Sequence, residues 1–316
     1  MRRLSLIVGL LAAGTFATPA QSQCSIGSTT VPFGNIDVLS GTPTATGTVS
    51  VTCPGGFGNF PYIWLCTSIG VGTNSTSVSN RTMKSGSNTL SYQLYTDSGM
   101  STIWQYTPPN QYSAPYNNST GGTSNVTVYA KILSAQTAPP GTYTDTYSTA
   151  AQAQVAGNVA TTLPGNCGGG TAALSVTVTA TALANANVSA TSMNFGSTST
   201  LASNIDSTAT LTVQATNTTP YSIGLDNGLN ASGSQRRARL GATSNFISYG
   251  LYTNAARSQG WSTTSAAGSC TGGANTCVLG TGTGSSQNIT VYGRVPPQSV
   301  PAPGTFNDTV VVTVTF

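Results

Sequence analysis

The chain contains one sequence pattern twice, and this repeat limits the possible folds more than any other feature. The two copies carry their segments in the same order and at similar spacing. The matching segments, first copy before second, are Phe33-Gly34 and Phe195-Gly196, Thr48-Val49-Ser50-Val51 and Thr210-Leu211-Thr212-Val213, Pro61-Tyr62 and Pro220-Tyr221, Tyr92-Gln93-Leu94-Tyr95-Thr96 and Tyr249-Gly250-Leu251-Tyr252-Thr253, Trp104 and Trp261, Val128-Tyr129-Ala130-Lys131 and Val291-Tyr292-Gly293-Arg294, and Pro140-Gly141-Thr142 and Pro303-Gly304-Thr305. A repeat that divides a chain of 316 residues in this way predicts two domains with one fold.

Within each copy, apolar and hydroxylated residues alternate between turns, as in Val49 and Val51 or Val126 and Val128. A period of two is that of a strand with one buried face. Outside residues 4–13, no long window keeps a helical period. We therefore predict an all-β chain of two immunoglobulin-like β-sandwich domains in tandem. The predicted boundaries are 1–22 for a signal peptide, 23–182 for the N-terminal domain and 183–316 for the C-terminal domain.

The first residues have the composition of a secretory signal peptide. Met1-Arg2-Arg3 precedes an apolar run over residues 4–13, and the small residues Ala20 and Ser22 mark a cleavage region. The run is too short to span a bilayer, and no other stretch approaches the roughly 20 apolar residues that a span needs. We expect an exported protein.

The side chains argue against catalysis and metal binding. Only 5% of residues are charged, His and Glu are absent, and the spacing of the cysteines fits no zinc pattern. Asp145 and Asp308 occupy equivalent turns in the two copies, so we expect them to cap turns and not to form an acid–base pair. We expect no enzyme activity, no metal and no cofactor.

The basic residues likewise give no sign of a nucleic-acid partner. The only cluster is Arg236, Arg237 and Arg239, which we expect in a solvated turn or at a strand edge. A nucleic-acid-binding domain needs a wider basic face.

The repeat also suggests how the six cysteines pair. Cys24 and Cys53 are replaced together by Ala186 and Ala215 in the second copy, as expected for a bonded pair. The remaining predicted disulfides are Cys66 with Cys167 and Cys270 with Cys277. Three disulfides fit an oxidising compartment such as the periplasm or the cell surface.

The two copies differ after the Pro-Gly-Thr turn. In the first copy, a further strand-like run comes at residues 174–181. In the second copy, the β-branched run Val310-Val311-Val312-Thr313-Val314-Thr315-Phe316 is the last segment of the sequence. We expect the first sandwich to be completed by its own chain and the second to lack its last strand.

The order of these motifs resembles the spore coat protein U domain, which occurs in Csu-type (archaic) chaperone-usher pilins. The resemblance rests on Phe-Gly, Pro-Tyr, the Arg-bearing turn Asn80-Arg81-Thr82-Met83, Tyr-x-Leu-Tyr-Thr, Trp, Val-Tyr-x-Lys/Arg and the Pro-Gly-Thr turn, and it covers nearly all of the predicted mature chain. The second copy departs from the first by lacking its paired cysteines, and the first has an insertion at about residues 152–171.

The resemblance implies a mechanism of assembly. In pilins of this class, a strand from a neighbouring subunit completes the sandwich by β-strand addition. A two-domain subunit resembles a tip adhesin, and the short segment before Cys24 leaves no room for a donor arm, so we expect a subunit that accepts a strand but gives none. The implied partners are a periplasmic pilus chaperone, an outer-membrane usher, an adjacent pilin and an abiotic or host surface, with export through the periplasm to the tip of a fimbrium on the cell surface. The expected groove edge carries Val310, Val312, Val314 and Phe316.

An aromatic and proline-rich loop in the first copy is the candidate adhesive surface, because exposed aromatics on stiffened loops offer apolar contact area at low entropic cost. The second copy has no counterpart. Packing of these residues onto their own sandwich is the alternative. The candidate residues are Tyr106, Pro108, Pro109, Tyr112, Pro115 and Tyr116, together with Phe57 and Phe60.

Two other functions remain open from the sequence. One is a structural coat or pilus-shaft protein that polymerises without a ligand. The other is a carbohydrate-binding adhesin that stacks the same tyrosines on sugar rings. We expect attachment to surfaces and biofilm formation in preference to both.

Overall fold

The computed structural model describes residues 24–56, 58–160, 171–264, 266–270 and 276–316. The predicted signal peptide, Phe57 and Cys167 lie outside these ranges. All regular secondary structure within them is β-strand, as predicted. None of the described segments forms a helix that could cross a bilayer.

Twelve strands form what we call the first domain. Most of them alternate buried and more exposed side chains, as their sequences predict, whereas β4 is buried from Ile63 onward. Their bounds are β1 (Ser25–Ile26), β2 (Thr29–Ile36), β3 (Thr44–Cys53), β4 (Tyr62–Ile69), β5 (Arg81–Ser85), β6 (Asn88–Tyr95), β7 (Asn110–Pro115), β8 (Gly122–Ile132), β9 (Gly141–Tyr147), β10 (Ala153–Ala160), β11 (Thr171–Ala173) and β12 (Val176–Ala182).

Nine described strands form what we call the second domain. Their bounds are β13 (Ala186–Ala190), β14 (Ile205–Ala215), β15 (Pro220–Leu225), β16 (Arg236–Leu240), β17 (Phe246–Tyr252), β18 (Val278–Thr281), β19 (Ser286–Val295), β20 (Phe306–Asn307) and β21 (Val312–Thr315).

Each domain is a sandwich of a large and a small sheet. In the first domain, the sheet orders are β1-β3-β8-β6-β5-β9-β12-β2 and β11-β10-β4-β7. In the second domain, they are β13-β14-β19-β17-β16-β20 and β18-β15-β21. The second set repeats the first, with β21 in the place of β10, except that its described strands include no counterpart of β2, β11 or β12.

The two domains have separate hydrophobic cores. The first core contains residues from Val31 to Ala182, and the second contains residues from Leu201 to Val295. The strand β12 leads through residues 183–185 into β13, where the side-chain amide of Asn185 donates a hydrogen bond to Asp37 (2.7 Å). The predicted domain boundary falls in this short connection.

Two disulfides lie among the described residues, Cys24–Cys53 and Cys270–Cys277. Both are pairs that the repeat suggests. Cys167, the predicted partner of Cys66, lies outside the described residues.

Candidate functional site: an open strand slot in the second domain

The strand β12 completes the first sandwich from within the chain. It pairs antiparallel with β9, with Val176 opposite Tyr147 and Ala182 opposite Gly141. On its other side it pairs in parallel with β2, from Val176 opposite Thr29 to Ala182 opposite Ile36. Both edges of β12 are therefore satisfied by backbone hydrogen bonds.

The side chains of residues 174–182 that face inward cover the core of the first domain. They are the alternate residues Leu174, Val176, Val178, Ala180 and Ala182, and each is at most 2% exposed. Full burial of one Val or Leu stabilises a fold by about 1.5–3 kcal/mol. This short segment therefore contributes a substantial share of the stability of the first domain.

The second domain has the two edges of such a slot without a described strand between them. One edge is residues 304–310, the counterpart of β9, whose strand β20 pairs only with β16. The following strand β21 belongs to the small sheet, where it pairs with β15. The other edge is residues 191–198, the counterpart of β2, which forms no strand. Within the described ranges, no strand pairs with both edges, and we call the space between them the open slot.

The core beneath the open slot is less well covered than that of the first domain. Tyr143, Asp145 and Tyr147 on β9 are fully buried, whereas their counterparts Phe306, Asp308 and Val310 are only partly buried. The same holds for Val31 and its counterpart Met193. The difference follows from the five core-facing side chains of residues 174–182, which have no described equivalent in the second domain.

The four residues expected at the groove edge differ in burial and in strand pairing. Val310, Val312 and Val314 are half-buried against the second core. Val312 and Val314 lie in β21, opposite Leu225 and Ile223 of β15. Phe316 comes directly after β21 and is 46% exposed.

Sequence reasoning did not select the second edge of the slot, which contains Met193 and Phe195. Met193 and Phe195 are partly buried against the second core. The Phe195 ring lies 6.3 Å from that of Tyr249. The signal was present in the repeat, because Phe33-Gly34 on β2 recurs as Phe195-Gly196, but strand pairing with β12 could not be read from it.

A buried arginine supports the slot in each domain. Arg81 donates hydrogen bonds to the carbonyl oxygens of Ile69, Gly70 and Trp104. In the second domain the same bonds run from Arg236 to Leu225, Asp226 and Trp261.

The expectation that Arg236 lies in a solvated turn or at a strand edge is wrong. Its side chain is buried at the start of β16, because its guanidinium satisfies carbonyl groups that no strand pairing reaches. Arg237 and Arg239 are half-buried. Arg237 lies 4.2 Å from the centre of the Phe246 ring, and Arg239 lies 5.9 Å from it.

The two equivalent aspartates are structural residues that hold a neighbouring loop. Asp145 accepts hydrogen bonds from Asn74 N–H (2.8 Å), Ser75 Oγ (2.8 Å) and the hydroxyl of Tyr92 (2.7 Å). Burial raises the pKa of Tyr92 well above its usual value, so its hydroxyl remains a donor. Asp308 binds Asn230 and Tyr249 in the same way. Each carboxylate therefore holds a loop distant in sequence and does not cap its own turn.

The proline-rich segment of the first domain is partly a strand. Residues 110–115 form β7, which pairs with β4 at the edge of the small sheet. The segment is therefore not a loop throughout, because its backbone groups are satisfied by an otherwise open sheet edge.

The three tyrosines of this segment turn toward the domain. Tyr116 is buried and donates a hydrogen bond to the carbonyl oxygen of Pro54 (3.0 Å). Tyr112 is half-buried beside Trp104, with ring centres 6.3 Å apart. Tyr106 donates a hydrogen bond to the carbonyl oxygen of Ala150 (2.9 Å). Their hydroxyl and ring contacts are those of packing onto the sandwich.

The structure brings together only part of the candidate adhesive set. Phe60 is half-buried, and it neighbours Pro115 and Tyr116 because Tyr62 pairs with Pro115 and Tyr116 N–H donates to the carbonyl oxygen of Pro61. Phe57 lies outside the described residues.

The other candidates, Tyr106, Pro108 and Pro109, lie near the opposite end of β4. The eight residues of β4 separate the two groups by roughly 25 Å. An exposed aromatic that sequence reasoning missed, Tyr62, is 42% exposed and adjoins Phe60.

Among the described residues, no group of three potential metal ligands lies together. The site instead offers one open strand edge, at β20, and the facing segment 191–198 above a partly covered apolar core, a geometry that accepts a β-strand.

The fold and the slot together define a class of protein: two immunoglobulin-like sandwiches, one completed by its own strand and one open. The profile of the spore coat protein U domain matches residues 11–150 and 171–313, and the chain belongs to this family. Protein U of Myxococcus xanthus is 38% identical over 112 residues, a match that spans 33% of this chain and 57% of the length of that protein.

A solved structure shares the two-domain fold. It is the chaperone–tip adhesion subunit pre-assembly complex CsuC–CsuE from the archaic chaperone-usher Csu pili of Acinetobacter baumannii. The match covers 93% of this chain and 100% of the other, with a TM-score of 0.55 and 15% sequence identity. At this identity, the likeness concerns the fold.

Proposed function

We propose that this protein is the tip adhesin of a chaperone-usher pilus, which attaches the cell to surfaces and promotes biofilm formation. The observation that carries the proposal is the contrast between the slot that β12 fills in the first domain and the open slot of the second. An open slot would accept a strand from another molecule, whereas a filled domain is free to act as the outer, ligand-facing unit. The family membership and the fold shared with a chaperone-bound tip subunit support the same assignment.

The partners follow from the chemistry of the open slot. Unpaired strand edges above an exposed core promote aggregation. A periplasmic chaperone would lend a strand during export, and an adjacent pilin would replace it at the outer-membrane usher. The donated strand would run between residues 191–198 and residues 306–310 and would reach Val310, beyond which Val312 and Val314 pair in the small sheet and Phe316 follows at the rim.

The adhesive end would lie at the far end of the first domain from the second. The junction is at Ala182 and Asp37, at the end of β2. Phe60, the adjoining Tyr62 at the start of β4 and the neighbouring Pro115 lie at the other end of the ten-residue strand β3, roughly 30 Å away.

A fusion experiment tests the open slot. The first domain connects β10 to β11 through residues 161–170, so a ten-residue linker after Phe316 followed by a copy of residues 171–182 reproduces that connection. We expect the fusion to raise the melting temperature of the second domain by at least about 5 °C, because it buries apolar surface without association entropy. Calorimetry of the full chain is the measurement.

The control is the same fusion with Asn at the positions of Val176 and Val178 in the added copy only. It keeps the length and the backbone hydrogen bonds but buries two amides in place of apolar groups. Equal melting temperatures for both fusions and the unfused protein would overturn the proposal that the slot accepts a strand.

A further inference from the structure

The two slots differ in the side chains that lie opposite one core-facing position of the inserted strand, and this difference bears on the strand that the second domain selects. We call the residues of both edges that lie opposite one such position a level of the slot. The inference rests on the proposed function of the open slot. In the first domain, the level of Val176 is bounded by Tyr147 on β9 and by Thr29 on β2. In the second domain, the repeat places Val310 and Thr191 there.

Tyr147 is a large part of the first core. It is fully buried, and its hydroxyl lies 2.8 Å from that of Tyr92. The small side chain of Val176 fits opposite it. Protein cores are packed to nearly constant density, so a smaller residue at one position calls for a larger one beside it.

The second domain leaves this volume and these polar groups without a counterpart. Val310 lacks the phenol ring of Tyr147 and is only half-buried. Tyr249, the counterpart of Tyr92, bonds Asp308 (2.7 Å), and no tyrosine of the described segment 306–316 stands beside it. Arg81 also donates to Gln93, whereas at the corresponding Gly250 the phenol ring of Tyr252 occupies the space that a side chain would fill.

The neighbouring levels of the slot are not enlarged in this way. Asp308 replaces Asp145 unchanged, and Phe306 replaces Tyr143 with a ring of nearly equal size. The longer Met193 replaces Val31, but its sulfur occupies the space beside Gly293, where the first domain has the methyl group of Ala130. The enlarged level is therefore the one that Val310 borders.

We infer that the open slot is selective for a donor strand that carries a tyrosine opposite Val310, followed toward the Pro-Gly-Thr turn by an aliphatic residue opposite Asp308 and a small residue opposite Phe306. The tyrosine ring fills the space that Tyr147 fills in the first domain. Its hydroxyl reaches Tyr249 and the vicinity of Arg236. The partner is thus an adjacent pilin whose donated strand carries the inward pattern Tyr-x-Val-x-Ala.

Peptides based on β12 test this selectivity on the full chain. The probes are a labelled peptide of residues 173–182, its Val176→Tyr variant and its Val178→Tyr variant, with binding followed by fluorescence anisotropy. We expect Val176→Tyr to bind at least about tenfold more tightly than the unchanged peptide, because it buries a ring in existing space. The Val178→Tyr peptide has the same composition and should bind more weakly than the unchanged one, because its ring meets Asp308.

A substitution in the protein, combined with the peptide variants, completes a double-mutant cycle. Val310→Tyr restores the arrangement of the first domain, and we expect it to reverse the preference so that the unchanged peptide binds better than Val176→Tyr. If the unchanged peptide binds the natural protein as tightly as Val176→Tyr does, the selectivity is wrong while the strand-accepting slot stands. If none of the three peptides binds, the slot itself is refuted, and the selectivity with it.

Discussion

At the scale of single residues, the polar groups of this protein hold loops onto sheets. Asp145 and Asp308 illustrate this, since each joins a tyrosine of the large sheet to a loop that comes after a strand of the small sheet. A glycine allows the loop of the first domain to approach. A Cβ atom on Gly72 would lie 2.2 Å from a carboxylate oxygen of Asp145.

Replacing this glycine should therefore displace the carboxylate. We expect Gly72→Ala to lower the stability of the first domain by about 2 kcal/mol or more, because the buried carboxylate loses hydrogen-bond partners. Urea unfolding of the full chain measures the change. The matched control is Gly27→Ala, where the added atom meets only Ser50 O at 3.8 Å, an ordinary contact. An equal loss in both variants would contradict this role of Gly72.

At the scale of elements, one strand decides the difference between the domains. β12 satisfies the backbone edges of both β9 and β2 and places alternate apolar side chains in the core. The strand is short, but it lies at the centre of its part of the sheet. Its removal would expose two edges at once, which is the condition of the second domain.

A single inward substitution should show the importance of β12. Val178→Asn buries an amide beside Asp145, and we expect a cost of about 3 kcal/mol, which lowers the melting temperature of the first domain by about 6–12 °C. Calorimetry follows the change. Thr177→Asn places the same residue on the outward face of the strand and should have little effect. Similar losses from both substitutions would mean that β12 does not close the core through its inward face.

At the scale of the whole molecule, the open slot and the candidate adhesive surface lie in different domains. The open slot lies in the second domain, and the loop with Phe60 and Tyr62 lies at the far end of the first. The tyrosines that sequence reasoning favoured divide between this end and the other end of β4. If the adhesive surface lies at the far end of the first domain, only the side chains that are exposed at that end contribute to it.

Attachment should therefore depend on a few exposed residues. We expect the double substitution Tyr62→Ser and Pro115→Ser to reduce attachment of pilus-bearing cells to plastic severalfold, because both side chains are exposed and offer apolar contact area. The melting temperature should change by less than about 2 °C. Tyr106→Ser removes a tyrosine from the other end of β4 and should leave attachment unchanged. If Tyr106→Ser reduces attachment and the double substitution does not, the adhesive surface lies at that other end.

Local sequence patterns predict much of this architecture but not its buried polar contacts. The strands, the tandem sandwiches, two disulfide pairs and the extra strand at residues 174–181 follow from the repeat, because alternation and order are local properties of the chain. The burial of Arg236 does not follow, because it depends on carbonyl groups brought in from β15 and from Trp261. The inward turn of Tyr112 and Tyr116 depends in the same way on the register of β7 against β4.

The sequence by itself determined that there are two copies of one fold and that the strand-like run at residues 174–181 of the first copy has no counterpart between the second Pro-Gly-Thr turn and Phe316. Only the tertiary structure decided which surfaces this asymmetry leaves open, since strand pairing joins residues far apart in the chain. Residues 191–198 form an edge of the slot because no described strand pairs with them there. Val310 marks an enlarged level because it leaves open the space that the ring of Tyr147 fills in the first domain. Both are properties of packed neighbours, which no local pattern records.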